Sequence, residues 1–251
     1  MVTEKQGFGD RDYRLLQLGN DLKYFNVKVK ETDLAIGVEN KVYSDSLISL
    51  CYKETIKIRR QLEEYILSHP QFQTSLVPIK TFPEAPEIAV KMAAAAAVAG
   101  VGPMAAVAGA VADYIGQILE QYSPEVIVEN GGDIYLKSAR ERNIAIYAGE
   151  SPFSYKIGFK VKAGEKPAGI CTSSGTVGHS LSFGVADAVV IKGSSAILAD
   201  AVATQAGNLV KNKFALERAI EYVKKLDREL SIVAIKDDQM MAWGDIEMIP
   251  L

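Results

Sequence analysis

The sequence predicts an α+β fold, mixed sheets with packed Ala-rich helices, over 251 residues. Three observations lead there. Several runs alternate apolar and polar residues, as strands with one buried face require. A central pair of helices is made largely of alanine. Many strands follow one another in sequence without the regular strand–helix alternation that a parallel α/β sheet needs. The chain is long enough to bury a substantial core, and we read residues 1–251 as one unit.

The elements follow in order. Residues 22–39 alternate around "KETD", with Phe25, Val27 and Val29 on one arm of a hairpin and Leu34, Ile36 and Val38 on the other. A helix begins at Ser44 or Asp45 as cap, since Leu47, Cys51, Ile58, Leu62 and Tyr65 recur at helical spacing until His69 and Pro70 stop it. Four of the nine prolines then fall between Pro70 and Pro86, which marks an extended connection and the best internal boundary. The hairpin and helix of residues 1–76 read as an added lobe. The Ala-rich helices occupy about 87–99 and 103–122, with Pro103 in a first turn where its missing N–H costs nothing. Strands are expected at 125–129, 133–137, 143–148, 155–162 and 185–192, helices near 195–210 and 213–229, and β-like segments at 231–236 and 239–249.

Composition narrows the function. With 48% hydrophobic and 24% charged residues the chain is neither disordered nor membrane-like in bulk, and a net charge of −3 provides no basic field for nucleic acid. Met92 to Ala112 is free of charge over 21 residues, but eleven are Ala and three are Gly, and Gly100, Gly102 and Pro103 break the middle. Two close-packed soluble helices account for it better than a membrane span. Cys51 and Cys171 make no disulfide framework and the first residues have no signal-peptide core, so a cytoplasmic protein is expected.

Several stretches could carry chemistry. "GVGPMA" at Gly100 to Ala105 mimics a dinucleotide fingerprint, but "MAAAAAVA" before it is a helix, so it reads as a helix-to-helix turn. In "VIVENGGDIYL", Asn130, Gly131 and Gly132 read either as a tight hairpin turn or as backbone amides brought close to a phosphate, with Asp133 at the rim. In "SSAILADAVATQAGN", Asp200, Thr204 and Asn208 lie at i, i+4 and i+8 among small residues, where the solvated helices of this chain carry Lys and Glu. Asp200 with Thr204 could supply oxygens to a hard cation such as Mg²⁺, although a mid-helix Thr often bonds its own backbone instead. "GICTSSGTVGHSLSFG", Gly169 to Gly184, holds six hydroxyls and four glycines without a charge and reads as a loop that closes around something. Within it Cys171 and His179 allow a thiolate and base, an acyl-transfer or hydrolase reading, although a buried Cys is commonly just a small hydrophobe.

Taken in order, "AGAVADYIGQILEQYSPEVIVENGGDI", "ICTSSGTVGHS" and "ADAVVIKGSSAILADAVATQAGN" resemble the ApbE-like flavin transferases, which move FMN from FAD onto a protein hydroxyl. The spacing agrees over roughly 105–208, the matching core is about 87–251, and the whole chain looks closest to an uncharacterised ApbE-like branch. The resemblance implies Mg²⁺ held by Asp200 and Thr204 and a flavin dinucleotide along Asn130 through Asp133. Thr172, Ser173 and Gly175 would approach the same ligand, and His179, with Asp133, would serve as acid/base or phosphate contact. It implies a separate acceptor protein, while charge and composition already argue against nucleic acid and a membrane, and a homo-oligomer is left open. Two departures stand out. Ala108 precedes Gly109 where the family has Lys, and "SLSFGVADAV" replaces an Asp-Pro-x-Thr-Gly-x-Pro segment. A non-catalytic flavin- or nucleotide-binding module is therefore the rival reading.

Overall fold

The computed structural model describes residues 21–164, 166–176 and 183–251. Its centre is an eight-stranded sheet, antiparallel throughout, in the order β1 (Leu22–Val29), β2 (Thr32–Glu39), β3 (Val126–Asn130), β4 (Asp133–Lys137), β7 (Ala168–Ser173), β8 (Ala188–Gly193), β9 (Ser231–Lys236), β10 (Gln239–Trp243). A three-stranded sheet, β11 (Glu247–Pro250), β6 (Ile157–Val161), β5 (Arg142–Ala145), lies against one face. Ile134, Leu136, Ile170, Val190 and Val233 meet Phe159, Val161 and Ile146 there in a sheet-on-sheet core. Helices cover the other face: α1 (Asp45–Ser68), α3 (Glu87–Ala99), α4 (Val107–Leu119), α5 (Ala196–Leu209) and α6 (Leu216–Lys225), with a single turn, α2 (Gln71–Thr74), after α1.

The N-terminal hairpin differs from the expected added lobe. Ile36 pairs with Val128 and Val38 with Val126, so β2 is hydrogen-bonded to β3 and the hairpin forms the first two strands of the main sheet. The alternation was visible, but its partner lay some 90 residues away in "VIVEN", beyond the reach of local pattern. The caps fit their residues. Ser44 accepts from the Leu47 N–H at 3.3 Å, and α3 ends on Gly100 at φ 76°, the left-handed stop that glycine adopts without a Cβ penalty. Pro103 opens a short 3₁₀ turn, Pro103–Ala106, before α4. Among the described residues no single helix is long and apolar enough to cross a membrane. The pair α3 with Pro103–Leu119 would suffice by composition, but it is bent by 102°.

Two boundaries differ for a physical reason. Residues 168–173, expected as part of a loop, are a central strand between β4 and β8. Its small residues are there for the helix above, since a Cβ on Gly169 would sit 2.2 Å from the Ala196 nitrogen. The 239–249 segment breaks at Gly244, φ 99°, and its halves join different sheets.

The contact that sets α4 against α5 is reciprocal. Asp113, on α4, accepts from Ser195 Oγ at 2.9 Å and from the Ala196 and Ile197 N–H groups at 3.1 and 3.3 Å, closing the start of α5. Asp200, on α5, accepts from the Gly109 N–H at 2.8 Å, and the Ala108 amide faces the same carboxylate, so the start of α4 is closed in return. These are the second- and third-residue amides that a capping side chain takes, and Ala106, at the cap position, offers no oxygen of its own. Gly109 makes the approach feasible, because a Cβ there would lie 2.2 Å from the Ala196 carbonyl oxygen. Replacing Asp113 by Ala strands buried N–H groups, and we expect urea unfolding to show a loss of about 2–3 kcal/mol, with Asp113→Asn losing less.

Candidate functional site

A polar slot lies between the sheet and the start of α4 and middle of α5. Alternation along the strands turns Asn130 and Asp133, and then Cys171 and Ser173, toward the helices. The contacts confirm that face. Asn130 Nδ2 donates to the Ala108 carbonyl at 3.2 Å, Cys171 Sγ donates to the Ala196 carbonyl at 3.2 Å, and a Cβ on Gly207 would be 3.0 Å from Ser173 Oγ. From above come Asp200 and, one turn on, Thr204. Asp133 is buried and one of its oxygens, Oδ1, has no hydrogen-bond partner. Its carboxylate faces the Cys171 thiol and the Thr172 N–H, with Asp200 close enough that the two charges repel.

Electrostatics follow from that geometry. Burial pushes the Asp133 pKa up from 3.8 to about 7, offset in part by the Cys171 and Thr172 contacts and reinforced by Glu129. Burial and the neighbouring Asp133 charge also raise Asp200, against the lowering effect of the Gly109 and Ala108 amides. Two carboxylates in one desolvated slot favour sharing a proton or gripping a cation. Cys171 is fully buried and its thiol is held well above the ordinary range by burial and by the nearby carboxylates, which removes it as a thiolate nucleophile.

The expected site residues fall out unevenly. Asp133, Asp200, Asn130 and Ser173 converge. Thr204 is half-buried, and among the described residues its hydroxyl has no hydrogen-bond partner, unlike Thr55, which bonds the Cys51 carbonyl at 2.7 Å. Thr172 sits opposite Val190 and alternates to the face of the second sheet, so only its backbone N–H reaches the slot. Gly131 and Gly132 form the two-residue turn of the β3–β4 hairpin at φ 69° and 116°, which explains the glycines without a ligand, and the space beside both is open. Gly175 donates its N–H to the Ala186 carbonyl at 2.9 Å, where the segment after β7 closes back on itself. His179 lies outside the described residues.

Three residues have roles that sequence reading missed. Asp113 caps α5. Asp187, buried before β8, accepts from Thr176 Oγ1 at 3.2 Å, Lys236 Nζ at 3.1 Å and the Asp237 N–H at 2.6 Å, anchoring that closing segment to the β9–β10 turn. Asn208, noted only as the end of a polar line, accepts the Phe183 N–H at 2.8 Å. The other histidine, His69, stacks on Phe82 at 4.1 Å and bonds Tyr65 at 2.8 Å in the aromatic cluster that ends α1. Clefts of about 260 and 250 Å³ open at Val42 to Tyr122 and between α1, α3 and α4, and neither touches Asp133 or Asp200.

Comparison with known proteins bears on the same residues. The family described as AbpE bacteria matches residues 14–236, a span that contains every strand and helix of the slot. The chain belongs to this family. Among relatives of this AbpE bacteria protein, a UPF0280 protein of Methanococcus aeolicus is 44% identical over 185 residues, covering 72% of this chain and 73% of its own. A UPF0280 protein of Methanocaldococcus jannaschii is 41% identical over 219 residues, 83% and 86% of the two chains. Two solved structures share the fold: the flavin transferase ApbE of Vibrio cholerae at TM-score 0.52 and 13% identity, covering 89% of this chain and 97% of that one, and the apo flavinyl transferase ApbE of Pseudomonas stutzeri at 0.56 and 12%, covering 88% and 93%.

The raised Asp133 pKa ties this AbpE bacteria chain's stability to pH. With the folded pKa above the free value, the metal-free chain has the full contribution of this group below pH 3.8 and loses it as pH rises through about 7. Urea unfolding without divalent ions is therefore expected to find Asp133→Asn more stable than the native chain at pH 8, with the difference closing by pH 4. A constant difference across that range would assign the pair no role in the loss.

Proposed function

We propose that this protein binds a flavin dinucleotide together with Mg²⁺ and transfers FMN from FAD to a hydroxyl of an acceptor protein. The observation that carries the reading is the Asp133–Asp200 pair, desolvated and with one carboxylate oxygen unpartnered, on a fold shared with flavin transferases. The donors suit the ion. Asp133, Asp200 and the Thr204 hydroxyl are all hard oxygens, as Mg²⁺ prefers, and two carboxylates leave room for water and substrate phosphate in its shell.

Each residue then has a task. Asp200 and Thr204, with Asp133 beside them, would hold the ion, which would supply charge neutralisation to a diphosphate. A carboxylate engaged in this way does not also carry a proton. The proton of the acceptor hydroxyl is assigned to His179, alongside its phosphate contact. Asn130, tied to the Ala108 carbonyl, fixes the start of α4 beside the ligand. Ser173 and the Thr172 and Gly175 amides line the strand end that leads out of the slot, with Gly131 and Gly132 leaving open backbone at its rim. The chain is read as a protein of the cytoplasm.

The test is direct. With FAD and Mg²⁺, the purified chain is expected to release AMP and to label a hydroxyl-bearing acceptor with covalent flavin, and chelation should stop both. Asp133→Asn and Thr204→Val are each expected to lower AMP release by about 100-fold. FAD binding without AMP release, with acceptor present, would establish the binding module instead, the outcome that Ala108 in place of Lys favours.

A further inference from the structure

The main sheet ends on two edges of different make. β1 carries the exposed Lys23 and Lys28, charges that discourage another strand from pairing there. β10, "QMMAW", carries neither a charge nor a proline, and its Met241 and Ala242 are exposed. The pair Gln239 and Lys236 closes a two-residue turn, so Gln239, Met241 and Trp243 bond to β9. The N–H and C=O groups of Met240 and Ala242 therefore face outward and meet no backbone partner among the described residues. Met240 and Ala242 on one face, with Met241 and Trp243 on the other, offer an added strand apolar neighbours throughout. Acids mark both ends. Asp237 and Asp238 form the turn before β10, and Asp245 follows it. Asp237 is more exposed than Lys236, Asp238 than Lys213, and Asp245 than Lys162 and Lys192, so in each ion pair the carboxylate is the outward partner. A second copy is a poor occupant, because two β10 strands paired antiparallel about Met241 bring Asp237 of each copy against Asp245 of the other.

We propose that β10 receives an extended segment of the acceptor protein as a ninth strand, an apolar, β-branched core of about five residues with Lys or Arg on both sides. Main-chain bonds to Met240 and Ala242 hold the segment, and the flanking cations select it through Asp237, Asp238 and Asp245. Position supports the role. Ser173, Val189, Ala234 and Met241 are paired in one line across the sheet, so the added strand runs about 19 Å from Ser173 at roughly 4.8 Å per strand, a gap that about six extended residues cross. The acceptor hydroxyl thus enters the slot while the chain that carries it is held at the edge, clear of the nucleotide. The inference rests on the proposed transfer to a protein hydroxyl and names where that protein binds.

The probe is a synthetic peptide of alternating Val and Thr with two lysines at each end, and its control has Glu for each Lys. Calorimetry on the full chain is expected to give the lysine peptide at least about tenfold higher affinity than the control, and the Met240 and Ala242 amide resonances should shift on adding it. Ala242→Pro removes an outward N–H without touching the bonds to β9, and is expected to weaken the lysine peptide at least about tenfold. Where that variant does not fold, Ala242→Lys, which puts a charge on the edge, takes its place with the same expectation. Equal binding of the two peptides, equal binding by native and variant chains, unmoved Met240 and Ala242 signals, or no binding up to about 1 mM each overturn the inference. A native dimer in sedimentation that Ala242→Pro dissociates overturns it too, by giving the edge to a second copy. AMP release from FAD, read separately with the peptide threonines as acceptor, tells the two readings apart. Peptide binding without AMP release leaves the edge as a docking strand and sinks the transfer, whereas AMP release onto another hydroxyl with no peptide binding sinks only the edge.

Discussion

Two helix starts that close one another hold this structure in register. A helix begins with amides that nothing inside it can satisfy, and here each of α4 and α5 borrows a carboxylate from the other. The arrangement works only at very short range. Gly109 against Ala196, Gly169 beneath Ala196, and Gly184 against Gly207 are contacts in which a methyl group would collide with backbone. Small side chains are thus a condition of the electrostatics, and the alanine content of the central helices follows from how near they must lie. Asp113 is buried with three donors around it. Asp200 is the half-buried member of the pair and the one that sits beside another acid.

That asymmetry separates scaffold from site. Burial raises the pKa of Asp113 as well, with its three donors working against the shift, whereas in the slot the two acids also repel each other and one oxygen is left unpartnered. Proteins that keep such a pair without a partner trade stability for a ligand or a proton. The solved structures it resembles share its fold, and the slot lies where sheet, α4 and α5 meet.

Much of the fold was legible because local chemistry and tertiary role coincide. Ser44, Gly100 and the alternation of Phe25 to Val38 mark their elements without help from the rest of the chain. The periodic Asp200 and Thr204 were visible for the same reason, since helical spacing fixes their shared face. What escaped depended on distant partners. Strand β7 looks like a loop because Gly169 and Ser173 were judged by their own preferences, while their smallness answers to α5 further on. Asp113 and Asp187 are single acids in unremarkable sequence, and only the amides and ammonium they meet give them meaning. The double glycine after Asn130 was ambiguous between turn and cradle, and its positive φ angles belong to the hairpin.

The late insertion of β7 between β4 and β8 has a temporal side. The chain completes β4, leaves to build β5 and β6 of the other sheet, and returns only at residue 168 to pair with the strand it left. Asp133 therefore waits at an open edge until that return, and Asp200 arrives later still. Closing such long excursions is slow relative to local hairpins. The two acids meet only once nearly the whole chain has been laid down, so their mutual repulsion burdens the finished protein and spares the early stages of its assembly.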